Sequence, residues 1–120
     1  MYTGPHIITD GLVLALDAAS PKSYPGSGTT WYGLTENQNQ ATLNNGPTLE
    51  DSNYISFDGT NDYVDLGTST SISTSSAFSL DCWVNLTSYG GNYPTIIQLK
   101  TNTSNGWNVS LSQSGSYAGI

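Results

Sequence analysis

Positive charge is the scarcest property of this chain. Lys22 and Lys100 are the only cationic side chains among 120 residues, against nine Asp and Glu, and the formal net charge is −7. Binding to a nucleic acid requires cations that displace phosphate counterions, and two lysines cannot supply them. Attachment to an anionic membrane surface needs the same cations. We therefore expect neither nucleic acid nor an anionic membrane as a partner.

Cysteine is nearly absent as well. Cys82 is the only one, so no disulfide can form within the chain. It shares its parity with Phe78, Leu80 and Val84, and we interpret it as a small buried hydrophobic side chain. A reactive thiol would need a neighbouring His or basic residue, and none stands near it in the sequence.

Long apolar runs are missing too. No segment approaches the length of a transmembrane helix, so we expect no membrane insertion. Residues 1–6 lack the basic start and the apolar core of a signal peptide. We expect a protein that is made in the cytoplasm and leaves it, if at all, as part of a larger assembly.

The chain contains short segments in which apolar and polar residues alternate, and its sequence shows no amphipathic helix. This pattern indicates an all-β fold. The predicted strands are residues 7–17, 54–57, 62–66, 78–86, 95–100 and 107–112. The predicted core is Leu12, Leu14, Leu16, Phe57, Val64, Phe78, Leu80, Val84 and Ile97. Residues 20–30 form a loop rich in Pro and Gly, which we expect Tyr24 and Trp31 to anchor.

The segment 55–67 reads I-S-F-D-G-T-N-D-Y-V-D-L-G. Two alternating stretches, 55–57 and 63–66, flank a turn of Asp, Gly, Thr, Asn and Asp. Asp makes side-chain hydrogen bonds to the backbone and Gly accepts a positive φ. The pattern predicts a β-hairpin across this turn.

Three motifs follow one another in a recognisable order. They are T-D-G-L-V-L-A-L-D-A-A-S-P-K-S-Y-P-G-S-G-T-T-W-Y at 9–32, F-D-G-T-N-D-Y-V-D-L-G at 57–67 and F-S-L-D-C-W-V at 78–84. Together they resemble laminin-G-like domains of the concanavalin A-like lectin superfamily, as encoded by tailed phages. The resemblance implies an all-β antiparallel jelly-roll β-sandwich, with residues 1–120 as a single domain.

Two departures from that family pattern matter. Relatives usually carry a turn of the type Asp-Leu-Ser-Gly-Asn-Gly after the Trp-Tyr pair. Residues 33–38 read G-L-T-E-N-Q here and lose the Asp and the glycines. Relatives also continue with further strands, so the sandwich is incomplete at its C-terminal end. We expect either that the chain is the N-terminal part of a longer polypeptide or that neighbouring subunits complete it by strand addition.

Catalytic residues are not expected. Lectin-like sandwiches that hydrolyse glycans place paired carboxylates in one cleft. Glu36 and Glu50 are the only glutamates and stand in turn-rich segments, and His6 has no nucleophile context. The sequence predicts a protein that is not an enzyme.

Calcium is the one cofactor to consider. Asp58, Asn61, Asp62 and Asp65 offer hard oxygen ligands, and relatives of this fold often bind Ca²⁺ at a sandwich rim. The alternative is that Asp58 and Asn61 only stabilise the turn.

Glycan-binding candidates come from the aromatic residues. Tyr89, Asn92 and Tyr93 stand in a Gly-containing loop, where tyrosine rings could stack on sugars. Trp83 and Trp107 stand within predicted strands, and we expect them in the core.

The resemblance implies a virion structural or surface protein, located in the virion as a head or tail decoration, a fibre or an adhesion component. Its partners would be capsid, neck or tail subunits and further copies of itself. The alternative is a carbohydrate-binding module that recognises host-surface glycans.

Overall fold

Every regular element among the described residues is a β-strand. The computed structural model describes residues 9–67, 77–88, 94–100 and 106–110. In these ranges the strands are β1 (Thr30–Tyr32), β2 (Gln40–Asn44), β3 (Thr48–Glu50), β4 (Tyr54–Ser56), β5 (Tyr63–Asp65), β6 (Thr95–Lys100) and β7 (Gly106–Ser110). The same ranges contain no helix that could cross a lipid bilayer. The all-β prediction is confirmed for the described residues.

The strands form three small antiparallel sheets, ordered β1-β2-β5, β3-β4 and β6-β7. The chain divides into two compact units, Met1–Ile72 and Ser73–Ile120. The first unit holds the first two sheets, and the second unit holds β6-β7.

β2 is the central strand of the first sheet. Ala41 and Leu43 are buried, whereas Gln40 and Thr42 between and beside them are exposed. This alternation is the period of two that a strand with one covered face requires. Trp31 of β1 faces Ala41, and Val64 of β5 faces Leu43. The core of the first unit is therefore centred on β2.

The chain leaves this sheet after β2 and enters the second sheet at β3. Asn45 and Gly46 make the change of direction with φ of 69° and 112°. Asn and Gly adopt a left-handed backbone at least cost. β3 and β4 then form a hairpin whose turn includes Asp51 and Ser52, with φ of 51° and 54°. Two successive positive φ values are the mark of a type I′ turn, which suits the twist of a hairpin.

The predicted hairpin across residues 57–62 is wrong. β4 pairs with β3, and β5 pairs with β2, so the flanking strands belong to different sheets. The turn at 51–53 closes a shorter loop than the turn at 57–62, and the shorter loop costs less entropy to close. Residues 57–62 instead return the chain from the second sheet to the first.

Ser23 joins the N-terminal segment to β1. It is fully buried, and its Oγ donates to the carbonyl oxygen of Tyr32 at 2.6 Å and accepts from the Asp17 N–H at 3.1 Å. The Tyr32 N–H donates to the Ser23 carbonyl at 2.7 Å. One small side chain thus binds backbone groups of two separate segments.

Tyr24 and Trp31 anchor the 20–30 loop as predicted. Tyr24 is buried, and its hydroxyl donates to the Gly28 carbonyl at 2.8 Å. Its ring meets the Trp31 ring edge-on, with 6.5 Å between centroids. Such edge-to-face pairs are a favoured aromatic geometry.

The predicted first strand is wrong over residues 9–17, which belong to no sheet; residues 7 and 8 lie outside the described ranges. Besides the Asp17–Ser23 bond, hydrogen bonds to the loop between β1 and β2 hold the segment in place. The Val13 carbonyl accepts from Asn39 Nδ2 at 3.1 Å and from Thr35 Oγ1 at 3.5 Å, and the Leu34 N–H donates to the Ala15 carbonyl at 2.9 Å. Leu12, Leu14 and Leu16 are half-buried.

Gly33 and Asn39 close the loop between β1 and β2. The Gly33 N–H donates to the Asn39 carbonyl at 2.7 Å. A Cβ at position 33 would lie 2.4 Å from that same oxygen. The close approach of two backbones therefore requires glycine here.

The strands of the second unit agree in part with those predicted from the sequence. β6 has the predicted bounds, while β7 begins one residue before the predicted start, and residues 111–112 lie outside the described ranges. The register shifts between Thr95 and Ile97, where β6 carries an irregularity. Ile97 is half-buried.

The predicted strand at 78–86 is wrong, because residues 77–88 belong to no sheet. Phe78, Leu80 and Val84 are exposed rather than in the core, as is Phe57 in the first unit. Cys82 is exposed and not buried, and Trp83 is 99% exposed. Apolar alternation defines two faces, but a strand also needs a neighbour to supply hydrogen bonds, and none is present among the described residues.

Replacing Ser23 with Ala should destabilise the first unit. The change removes the acceptor for the Asp17 N–H and the donor for the Tyr32 carbonyl, and unsatisfied buried groups cost about 1–3 kcal/mol. We expect the free energy of unfolding in urea to fall by about that amount. Ser27→Ala, at an exposed position of the same loop, is the matched control and should change stability little. Equal losses in the two variants would contradict the role of Ser23.

Candidate functional site

The acidic turn at residues 58–62 is held by its own two carboxylates. Asp58 Oδ1 accepts from the N–H of Thr60 at 2.7 Å and from the N–H of Asn61 at 3.3 Å. Asp62 Oδ2 accepts from the Asp58 N–H at 2.9 Å. Each carboxylate therefore binds the opposite arm of the loop, and Gly59 supplies the left-handed residue at φ 73°.

Asp65 stabilises a different turn. Its Oδ1 accepts from the Gly67 N–H at 2.8 Å, directly after β5. Asn61 contributes through its backbone, because its carbonyl accepts from Asn45 Nδ2 at 2.6 Å. That bond connects the two places where the chain changes sheet.

These oxygens do not form a cage for calcium. Ca²⁺ takes six to eight oxygen ligands at about 2.3–2.6 Å. Asp58, Asp62 and Asp65 each commit one carboxylate oxygen to a backbone N–H of their own turn. In the part of the chain that the structure describes, no three His, Cys, Asp or Glu side chains are placed to hold a metal ion. The geometry favours the turn-stabilising alternative, and calcium binding at Asp58, Asn61, Asp62 and Asp65 stays a prediction.

The hydrogen bonds of the turn act on the acidity of Asp58. The N–H of Thr60 above all lowers the pKa of the Asp58 carboxyl below its ordinary value of 3.8, and the N–H groups of Asn61 and Asp62 act in the same direction against an opposing effect of desolvation. Hydrogen bonds to the ionised form stabilise that form. The turn is therefore built for a charged Asp58.

The predicted glycan-binding residues Tyr89, Asn92 and Tyr93 lie outside the described residues. Sequence reasoning preferred these loop residues over Tyr54 and Tyr63, which are both about half exposed. They begin the two strands on either side of the acidic turn, β4 and β5. Ile55 and Val64, the next residue in each strand, are less exposed. The alternation of the two strands was the available signal that these tyrosines face outward.

Comparisons with protein-family models, with curated proteins and with solved structures find no match for this chain. Any functional assignment therefore depends on the motifs in the sequence and on the geometry of the described residues.

Lowering the pH should loosen the 58–62 turn. Because the folded-state pKa of Asp58 is lowered, its contribution to stability is fully present above pH 3.8 and is lost as the pH falls through the lower folded-state value. We expect the side-chain carbon shift of Asp58 and the amide proton shifts of Thr60 and Asn61 to titrate together below pH 3.8 in NMR spectra.

Asp58→Asn is the matched control for this titration. It keeps an acceptor oxygen but cannot ionise, so the two amide shifts should stay flat over the same range. A midpoint for Asp58 at or above 3.8 would contradict the hydrogen bonds that define the turn.

Removing divalent cations should leave the Tm nearly unchanged. A ligand present at 100 times its Kd stabilises a protein by about 2.7 kcal/mol, which corresponds to a shift on the order of 10 °C for a small domain. We expect no such shift between calcium and chelator in differential scanning calorimetry. A shift of that size that disappears in Asp62→Asn would show that the turn does bind calcium.

Proposed function

We propose that this chain is a non-enzymatic structural or surface protein of a tailed-phage particle, built on a laminin-G-like jelly-roll sandwich. The observation that carries the proposal is the order of the three motifs at 9–32, 57–67 and 78–84. The resemblance that these motifs carry implies a single domain over residues 1–120. The virion is the location that this proposal implies.

The path of the chain supports the sandwich. Within the first unit it passes from the β1-β2 pair into the β3-β4 sheet and returns at β5. A chain that builds two facing sheets has to make such exchanges, since neighbouring strands in the sequence are divided between the sheets. The corner at Asn45 and the corner at Asn61 are bonded to each other.

The surface chemistry suits permanent packing against other subunits. Only 9% of the residues are charged, and the exposed side of β2 presents Gln40 and Thr42. Charged residues are depleted in the cores of protein interfaces because burying them is costly. A neutral, hydrogen-bonding surface avoids that cost against capsid, neck or tail subunits. The net charge of −7 keeps the unassembled protein soluble.

Carbohydrate recognition is the second candidate, and the exposed tyrosines favour it. Tyr54 and Tyr63 each expose about half of their surface. Tyr63 directly follows the acidic turn, whereas Tyr54 begins β4 beside the turn at 51–53. Aromatic faces can stack on the C–H faces of sugars, and the nearby Asp and Asn side chains offer hydrogen-bond acceptors. In this version of the function, the particle component also attaches to host-surface glycans.

Mass spectrometry of gradient-purified particles tests the leading proposal. Peptides of this chain should be enriched in intact virions over the lysate of infected cells. Trypsin has only Lys22 and Lys100 as cleavage sites, so chymotrypsin is the better protease for a chain with eight Tyr, three Trp and two Phe. Absence of the chain from particles that carry all other structural proteins would contradict the proposal.

A glycan array separates the second candidate from the first. A sugar-binding protein should retain a selective set of glycans and lose it in Tyr54→Ala and Tyr63→Ala. Tyr32→Ala is the matched control, because Tyr32 is also exposed but lies in β1, at the opposite edge of the sheet from β5. If the protein binds no glycan selectively, the purely structural role is the one that remains.

A further inference from the structure

Asn45 and Gly46 form the corner at which the chain leaves β2 for β3. Both residues are exposed. In the described part of the chain, no hydrogen bond holds the Gly46 N–H. A Cβ added at Gly46 would meet nothing within 4 Å. The amide nitrogen that follows the Asn45 side chain is therefore neither bonded nor crowded.

An unhindered amide nitrogen after an asparagine can attack the side-chain amide, because the two groups are held close together in one chain. The Gly46 nitrogen loses its proton to solvent and forms a bond to Asn45 Cγ, which closes a five-membered succinimide. The Cγ–Nδ2 bond breaks, and Nδ2 takes up a proton and leaves as ammonia. Water then opens the ring at either carbonyl and leaves aspartate or isoaspartate at position 45. One water is consumed and one ammonia is released.

The folded structure restrains this reaction through the leaving group. Asn45 Nδ2 donates to the Asn61 carbonyl at 2.6 Å, so the side chain is held toward the other corner. Attack requires Asn45 to give up that bond and to turn its Cγ toward Gly46. The bond is exposed, and exposed bonds open more readily than buried ones. The opening of this one bond therefore controls access to the reactive geometry.

Asp58 and Gly59 form a second exposed pair that lacks this reactivity. Gly59 is as uncrowded as Gly46 and also has a positive φ. The Asp58 carboxylate, however, is held in its ionised form by the N–H groups of Thr60 and Asn61. An ionised carboxylate offers no leaving group to an amide nitrogen. The neutral amide of Asn45 does.

We propose that Asn45 is a site of spontaneous deamidation through the Gly46 nitrogen, and that its hydrogen bond to Asn61 sets the rate. The product has a carboxylate at position 45 and so has no side-chain donor there. It cannot bind the Asn61 carbonyl again, and the bond between the corners is lost irreversibly. This inference does not rest on the proposed function, because the reaction is measured on the purified chain.

Peptide mapping by mass spectrometry tests the reaction. The folded protein, incubated at neutral pH, should accumulate aspartate and isoaspartate at position 45. The same incubation in urea should proceed faster by at least about twofold, the lower end of what one hydrogen bond contributes.

Asn44 is the matched control within the same peptide. Its Nδ2 also donates to a backbone carbonyl, that of Thr42 at 3.0 Å. The residue that follows it is Asn45 and not a glycine. Asn44 should therefore keep its amide throughout the incubation.

Hydroxylamine tests the route through the succinimide, because it cleaves the chain at that ring. The sequence has a second Asn-Gly pair at 105–106, so the experiment uses the Asn105→Gln variant. Hydroxylamine should divide this variant after Asn45, into residues 1–45 and 46–120.

Asp58→Ala tests the control by the corner bond. The substitution removes the acceptor for the N–H groups of Thr60 and Asn61, which places the Asn61 carbonyl less firmly. The rate at position 45 should rise toward the rate in urea. Asp65→Ala removes a carboxylate from the turn after β5 and is the matched control, which should leave the rate unchanged. Should Asp58→Ala fail to fold, the comparison of folded protein with protein in urea decides alone.

Hydrogen exchange tests the consequence for the corners. Anion-exchange chromatography separates the product, because it carries one more negative charge. The amides of β5 should exchange faster in the product than in the unreacted protein, since the lost bond lies beside the Asn44–Tyr63 pair. Equal exchange in the two fractions would overturn the role of the bond.

Three further results would overturn the proposal. One is a folded protein that loses no amide at Asn45 over many half-lives of the reaction in urea. Another is an equal rate in the folded protein and in urea, since the bond to Asn61 would then have no effect. The third is aspartate without isoaspartate at position 45, because direct hydrolysis by water gives aspartate only.

Discussion

The first unit depends on one constraint, which is that its chain changes sheet twice at corners that must lie together. The bond from Asn45 Nδ2 to the Asn61 carbonyl, at 2.6 Å, joins these corners. It lies beside the Asn44–Tyr63 pair, where β2 ends and β5 begins, and so it reinforces the register of β5 on β2. The buried Ala41 and Leu43 can form a core only because β1 and β5 are held on either side of that strand.

The sequence predicts the type of the elements better than their partners. Strands at 54–57, 62–66 and 95–100 could be recognised because alternation is a local property of the chain. The pairing of β4 with β3 depends on the left-handed conformation of Asp51 and Ser52. An Asp-Ser pair is a weaker sequence signal for such a hairpin turn than Asn-Gly. Residues 79–86 show the converse case, in which clear alternation occurs in a segment that joins no sheet among the described residues.

The acidic turn was predictable as a turn, and its chemistry was not. Asp and Gly in sequence indicate local hydrogen bonds, which the structure contains. The same residues also resemble a ligand set, because composition alone does not say where each oxygen points. Only the geometry shows that Asp58 and Asp62 bind each other's arm of the loop. The outward direction of Tyr54 and Tyr63 follows from parity and could have been derived.

Gly33 and Asn39 join the two ends of the loop between β1 and β2. The 2.7 Å bond and the lack of space for a side chain fix the two ends of residues 34–38, whatever those residues are. Loops with fixed ends tolerate insertions at a small entropic cost. Leu34 and Thr35 also bond the Ala15 and Val13 carbonyls, so the exposed pair Glu36 and Asn37 is the part of this loop where a foreign peptide can be grafted.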